Sequence, residues 1–106
     1  MTLKVNGQVV SQSPTPKLIR DSLSNLDVDR DGEGFLILAH DELTYLQVSG
    51  DSKRGFDAEY QEGSTDRHYR AQNASFALEE VAAMLCEYLQ GEVGWEKYGA
   101  WTKVTW

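Results

Sequence analysis

The sequence predicts an α+β fold, an antiparallel sheet of about five to six strands with two α-helices packed on one of its faces. Four stretches rich in apolar residues follow one another in the middle of the chain, joined by short turn-forming links. Two other stretches repeat apolar residues at helical spacing, one before the strands and one after them. With 106 residues, 41% of them hydrophobic, the chain has the size and composition of a single globular domain spanning residues 1–106.

The N-terminal segment predicts β-structure followed by a helix. Asn6-Gly7 separates two short alternating runs within residues 3–10, which is the signal of a tight hairpin, although a single bent edge strand fits equally well. Two prolines then end the strand. A helix over residues 17–26 follows, with Thr15 as its N-cap and Pro16 in the first helical position.

The central segment predicts four consecutive antiparallel strands. They cover residues 35–40, 43–49, 56–62 and 66–71, with turns of polar residues and glycine between them. In the third strand, Phe56, Ala58 and Tyr60 alternate with acidic residues, which is typical of a strand buried on one face.

The C-terminal third predicts a second helix and a final strand. Ser75 is the expected N-cap, Glu79 and Glu80 lie in the first turns where the helix dipole favours acids, and Gly91 is the expected stop. Residues 94–99 predict a turn or a short helical piece, and residues 100–106 alternate as a strand does.

Three tryptophans, Trp95, Trp101 and Trp106, lie within twelve residues of each other. Because a two-layer protein cannot bury both faces of its last strand, we expect two of the three in the core. Either Trp101 or Trp106 is then partly exposed, and Trp101 becomes a candidate partner contact, since tryptophan is enriched in binding hot spots.

Charge is the feature that bears most directly on function. Residues 27–66 contain eleven acidic and three basic residues, a net charge of −8 within a chain whose total is −7. Acids carried by strands project from a rigid surface, so the expected partner is a basic protein surface. The same charge argues against binding nucleic acid or anionic membrane, because phosphates are repelled.

The sequence offers few signs of a particular compartment or of catalysis. The longest apolar run has five residues, the N-terminus lacks the apolar core of a secretory signal, and the single Cys86 fits a reducing compartment, so we expect a cytoplasmic protein. Asp27, Asp29 and Asp31 imitate the start of a calcium-binding loop, but Leu38 occupies the position that needs a bidentate glutamate. We expect no metal, no cofactor and no enzyme activity.

The order of motifs resembles the first-numbered immunity-protein family of bacterial polymorphic toxin systems. The similarity covers about residues 33 to 105. It rests on the strand pair 45–50 and 55–63, the helix 78–91 and two of the tryptophans. The positions that match the family pattern are Glu59, Tyr60, Gly63, Tyr88, Gly91, Trp95 and Trp101.

This resemblance implies a cytoplasmic protein that is encoded beside a secreted toxin and neutralises it by tight binding. Family members are associated with toxins of the nucleic-acid deaminase type, which need a cationic substrate groove. The hypothesis is that an acidic sheet face occupies such a groove. Its candidate contacts are Asp57, Glu59 and Glu62 on the strand, Asp51 and Asp66 at the adjoining turns, and Trp101.

Two other functions stay open at this point. One is an adaptor or regulatory domain that binds a peptide or a cellular protein through a sheet edge or the tryptophans. The other is a small enzyme centred on Asp66, His68 and Tyr69. The protein is expected to be a monomer or a homodimer, because an unpaired edge at residues 3–10 or at the C-terminal strand could pair with a second copy.

Overall fold

The computed structural model describes residues 1–26, 34–51, 53–72, 75–91 and 93–105, without the side chains of Asp51 and Val93. The strands are β1 (Thr2–Val5), β2 (Gln8–Ser11), β3 (Phe35–Asp41), β4 (Thr44–Asp51), β5 (Gly55–Glu62), β6 (His68–Ala71) and β7 (Trp101–Lys103). The helices are α1 (Pro16–Asn25) and α2 (Leu78–Leu89), with 3₁₀ segments at Thr65–Arg67 and Val93–Tyr98. The calcium-like segment 27–33 and Trp106 lie outside the described residues.

Within the described residues, the seven strands form one antiparallel sheet in the order β2-β1-β3-β4-β5-β6-β7. The predicted α+β class is confirmed, and the strand number slightly exceeds the expected five to six. The difference arises at the N-terminus, where Asn6 (φ 52°) and Gly7 (φ 85°) make a tight turn and give two strands rather than one bent strand.

The first helix follows its sequence signals. Pro16 occupies its first turn, and the Thr15 hydroxyl accepts a hydrogen bond from the Leu18 N–H at 3.2 Å, as expected of an N-cap. Ile19 and Leu23 are fully buried, so the predicted apolar face is the one that faces the core.

The second helix begins later than predicted, and Ser75 is not its N-cap. Phe76 instead pairs with Phe56 through two backbone hydrogen bonds of 2.8 and 2.9 Å, which keeps this part of the chain extended. Ala77 occupies the cap position, and the Glu80 carboxylate accepts its N–H at 3.0 Å. A tertiary pairing therefore overrides the local capping signal.

Two further boundaries differ from the predictions in the same direction. The strand predicted from Asp66 begins at His68, because residues 65–67 form a 3₁₀ turn. The predicted final strand over residues 100–106 is limited to Trp101–Lys103. The edge strand β7 is therefore short, as is β2 at the other edge, which reduces the backbone that the edges expose.

One core cluster lies between the helices and one face of the sheet. Its members on the sheet share a side by register, and both helices contribute to it, as predicted. The largest side chains with less than 2% exposure are Leu3, Ile19, Leu23, Leu26, Leu36, Leu38, Leu46, Val48, Phe56, Phe76, Met84 and Leu85.

Gly55→Ala is predicted to destabilise the protein far more than Gly7→Ala. Both glycines have positive φ (96° and 85°), but a Cβ on Gly55 would lie 2.6 Å from the Ser75 Cα, whereas nothing lies within 4 Å of one on Gly7. We expect a loss of about 3 kcal/mol for Gly55→Ala and about 1 kcal/mol for Gly7→Ala, by urea denaturation. Equal losses would contradict the close approach of Ser75.

Candidate partner-binding surfaces

The sheet face opposite the helices is the first candidate surface, and we call it the helix-free face. No helix in the described residues packs on it. One row of cross-strand neighbours runs over all seven strands of this face, and two shorter rows flank it. The central row is Val9, Lys4, Ile37, Gln47, Glu59, Arg70 and Thr102.

The β1–β4 half of the helix-free face combines partly exposed apolar side chains with Lys4 and Gln47. Ile37, Phe35 and Tyr45 are half-buried there and take no part in the core cluster on the other side. Val9 at the sheet edge is 56% exposed. Partly exposed aliphatic and aromatic side chains on one face are what protein interfaces use as anchors.

The β5–β6 half of the helix-free face is charged, and Asp57, one of its two acids, is paired with Arg70. The Arg70 guanidinium contacts Asp57 Oδ2 through Nε at 3.0 Å and through Nη2 at 2.5 Å. This contact raises the pKa of Arg70, first through the hydrogen bond to Asp57 and then through its charge. Asp57 is thus presented to a partner as half of an ion pair.

Glu59 is held by polar contacts that continue into the sheet through His68, whose two ring nitrogens both face oxygen atoms and can both donate only when the ring carries two protons. Its Oε1 accepts from Gln47 Nε2 at 2.9 Å, and its Oε2 lies 3.0 Å from His68 Nε2. His68 Nδ1 lies 3.1 Å from Gln61 Oε1, and Gln61 Nε2 donates to the Leu43 carbonyl at 3.1 Å. His68 and Gln61 are 4% and 5% exposed, so these contacts form a buried polar network that fixes one carboxylate at the surface.

The predicted acidic residues do not form one face. Asp57 and Glu59 project from the helix-free face, but Glu62 is in register with Thr44 and shares the parity of Tyr60, which faces the helices. Asp51 ends β4 at the opposite end of the sheet from Glu62, and its side chain is outside the described residues. The inference that the strand acids share a single sheet face was therefore wrong, and the part of these acids in partner binding stays a prediction.

Instead, several acids gather at one end of the sheet, where the β3–β4 turn meets the β5–β6 turn. Gly63 N–H donates to the Leu43 carbonyl at 2.9 Å and joins the two turns. Leu43 is 48% exposed beside a shallow depression of about 420 Å³ lined also by Asp41, Glu42 and Gly63. The acids of this acidic end are Asp41, Glu42, Glu62 and Asp66, and Arg67 is bound to Glu62 at 2.9 Å.

The acids at this end affect two buried tyrosines on the helix side. Burial raises the pKa of Tyr88 to about 12, and Glu62 and Asp41 add to the shift. Burial likewise raises the pKa of Tyr60 to about 12, with Glu96 and Glu62 adding to it. The carboxylates are therefore close enough to raise the pKa of tyrosines buried in the core.

These raised pKa values predict a loss of stability in alkaline solution. Below pH 10 both hydroxyls keep their protons in the folded and unfolded chains alike. Between pH 10 and about 12 the unfolded chain releases the protons of Tyr60 and Tyr88 while the folded chain retains them, so stability falls as pH rises through this window. We expect the urea midpoint to drop there and tyrosinate absorbance to show Tyr60 and Tyr88 titrating last among the five tyrosines, with Tyr45, whose pKa burial also raises, titrating late as well. Five equivalent titrations near pH 10 in the folded state would contradict this.

Trp101 lies on the helix side of β7, half-buried against the core. Its ring centroid is 4.9 Å from that of Tyr60 and 5.7 Å from that of Trp95, and its Nε1–H donates to the Glu96 carbonyl at 2.9 Å. Trp95 is 6% exposed, as expected of a core residue. The remaining exposed part of Trp101 is on the side of the sheet opposite Asp57 and Glu59.

The residues considered for catalysis are not brought together. His68 and Tyr69 point to opposite faces of β6, and Tyr69 stacks on Tyr60 at 4.9 Å. Burial raises the pKa of the Cys86 thiol, which keeps it protonated. Within the described residues, no three His, Cys, Asp or Glu side chains are grouped to hold a metal ion.

No family model, curated protein or solved structure matches this chain. None of the helices among the described residues is long and apolar enough to cross a membrane.

The buried network around Glu59 and the acidic end are the features that sequence reasoning missed. Both depend on which strands are neighbours. The alternation of β5 does carry one usable signal, since it already places Glu62 with Tyr60 rather than with Glu59.

Proposed function

We propose that this protein neutralises a cognate secreted bacterial toxin by binding a basic surface of it, as an immunity protein does. The toxin class proposed is one that acts on nucleic acid, deaminase-like or nuclease-like, because such toxins need a cationic groove. The protein acts in the cytoplasm of the producing cell, as a monomer or homodimer, without catalysis of its own.

The helix-free face is the observation that supports this proposal. It presents half-buried Ile37, Phe35 and Tyr45 beside carboxylates that are fixed by hydrogen bonds. Apolar anchors next to pre-organised charged groups are the composition of a specific protein interface. A partner with apolar contacts and a cationic border complements it.

The acidic end has a separate part in the proposal. The four acids, with Arg67 bound to Glu62 and Lys4 beside Asp41 and Glu42, keep a net negative charge that attracts a basic protein over about a Debye length, which raises the association rate more than the affinity. The two regions thus have different roles. The acidic end increases the rate of association, and the helix-free face makes the contacts that keep the complex together.

The test is co-expression of this protein with the C-terminal domain of the protein encoded immediately upstream, scoring host survival and a co-purifying complex. Survival together with a stable complex is the expected result. The proposal is overturned if the C-terminal domain of the upstream protein is harmless when expressed alone. It is also overturned if that domain kills the host despite this protein and is not bound by it.

The second candidate function is an adaptor that binds an extended peptide at the β2 edge. Val9 and Val10 are 56% and 46% exposed there, and β2 carries no charged residue that would discourage another strand. Host survival that persists when Val10, which is outside the central row of the helix-free face, is changed to Lys favours the immunity function, since a charge at the edge blocks strand addition.

A further inference from the structure

We infer that Glu59 is the anchor for an arginine side chain of the partner protein. This inference rests on the proposed function and names the chemistry of its central contact. It starts from the position of Glu59 in the central row of the helix-free face, between Gln47 on β4 and Arg70 on β6.

The carboxylate of Glu59 is oriented before any partner arrives. Each of its oxygens has one fixed neighbour, Gln47 Nε2 at 2.9 Å from Oε1 and His68 Nε2 at 3.0 Å from Oε2. His68 is in turn held by Gln61, which is held by a backbone carbonyl. A charged group fixed in this way loses little side-chain entropy when it is bound.

Glu59 also keeps capacity for a further ligand. Its side chain is 32% exposed, and a carboxylate can accept about four hydrogen bonds, of which Gln47 supplies one and His68, when its Nε2 carries a proton, a second. Glu59 makes an ion pair with His68 when that ring carries two protons, while Arg70, whose hydrogen bonds go to Asp57, acts on Glu59 through its charge alone. Glu59 therefore differs from Asp57, which already accepts two hydrogen bonds from a guanidinium.

The surroundings of Glu59 favour arginine over lysine. Tyr45 is on the neighbouring strand β4, two residues from Gln47, which is the cross-strand partner of Glu59. It is close enough that the charge of Glu59 adds to the effect of burial in raising the pKa of the Tyr45 hydroxyl. Ile37 is two strands away in the same row. A guanidinium can bind two carboxylate oxygens and stack on an aromatic ring while its aliphatic stem covers an apolar residue, which a lysine ammonium cannot do equally well.

The experiment uses the whole protein, labelled with ¹⁵N, and titrates it with a tri-arginine peptide and a tri-lysine peptide at low salt. Nuclear magnetic resonance follows the side-chain amides of Gln47 and Gln61 and the ring of His68. We expect the tri-arginine peptide to shift these signals, and the tri-lysine peptide to bind there more weakly.

The deciding variant is Glu59→Gln, which keeps an oxygen for one of its two donors and removes the charge. We expect it to weaken tri-arginine binding about three- to ten-fold. The matched control is Asp21→Asn on α1, which removes the same charge from a side chain 56% exposed and should change the affinity less than about 1.5-fold. Equal affinity of Glu59→Gln and wild type, shifts confined to Glu42 and Asp66, or no shift at millimolar peptide overturns the inference.

The outcome is separable from that of the proposed function. If the toxin domain is neutralised and bound equally well by wild type and Glu59→Gln, the immunity function stands and the anchor is wrong. If no toxin is neutralised, the function fails, while the peptide titration still decides whether Glu59 selects arginine.

Discussion

Phe56→Ala is expected to destabilise the protein strongly. Phe56 has no exposed surface and lies at the start of β5 within the single core cluster. Truncating a buried phenylalanine to alanine costs about 3–5 kcal/mol, since contacts are lost and a cavity remains. A domain of this size is stable by only about 5–15 kcal/mol, so this one change removes much of the total.

The position of Phe56 makes the expected effect larger than that of an average core residue. Its backbone exchanges two hydrogen bonds with Phe76, which has 1% exposure and precedes α2 by two residues. If the sheet shifts locally to fill the cavity, the segment that leads into α2 shifts with it.

The measurement is urea denaturation followed by circular dichroism, with Leu43→Ala as the control. Leu43 is 48% exposed, so its truncation should change stability by less than about 0.5 kcal/mol. A Phe56→Ala variant within about 1 kcal/mol of wild type would contradict the core arrangement, because no cavity-forming substitution of a fully buried phenylalanine is that mild.

The order of strands and helices could be predicted because the signals that determine it are local. The Asn6-Gly7 turn, the Thr15 cap and the alternation of β5 each act over a few residues, and each is found in the structure. The Ser75 cap failed for the opposite reason. Its position was decided by pairing of the adjacent Phe76 with Phe56, some twenty residues away in sequence, which no local pattern contains.

The candidate site was less predictable because its chemistry depends on register. The pairing of Arg70 with Asp57 and of His68 with Glu59 requires β5 and β6 to be neighbours with Gln61 opposite His68. Charge counting treats these acids as unpaired. It therefore predicted an acidic face. The unbalanced charge lies instead at the acidic end, where two turns come together only in the folded protein.

Ile37→Arg is expected to abolish toxin neutralisation while Leu43→Arg preserves it. Both changes place the same side chain on a partly exposed apolar position, Ile37 in the centre of the helix-free face and Leu43 in the acidic end. A positive charge on the face would repel a basic partner and displace an apolar anchor. It would also lie within reach of Glu59, two strands away in the same row, and could occupy that carboxylate itself.

The two variants are expected to change different rate constants of the toxin complex. Ile37→Arg should raise the Kd of the toxin complex about 100-fold or more, equivalent to about 2.7 kcal/mol, mainly through faster dissociation. Leu43→Arg should slow association a few-fold at low salt, with little change in dissociation, because it reduces the net charge of the acidic end. Both rates can be measured by surface plasmon resonance after circular dichroism has confirmed that each variant is folded. If Leu43→Arg abolishes binding and Ile37→Arg does not, the acidic end holds the toxin, and the helix-free face is left without a part in neutralisation.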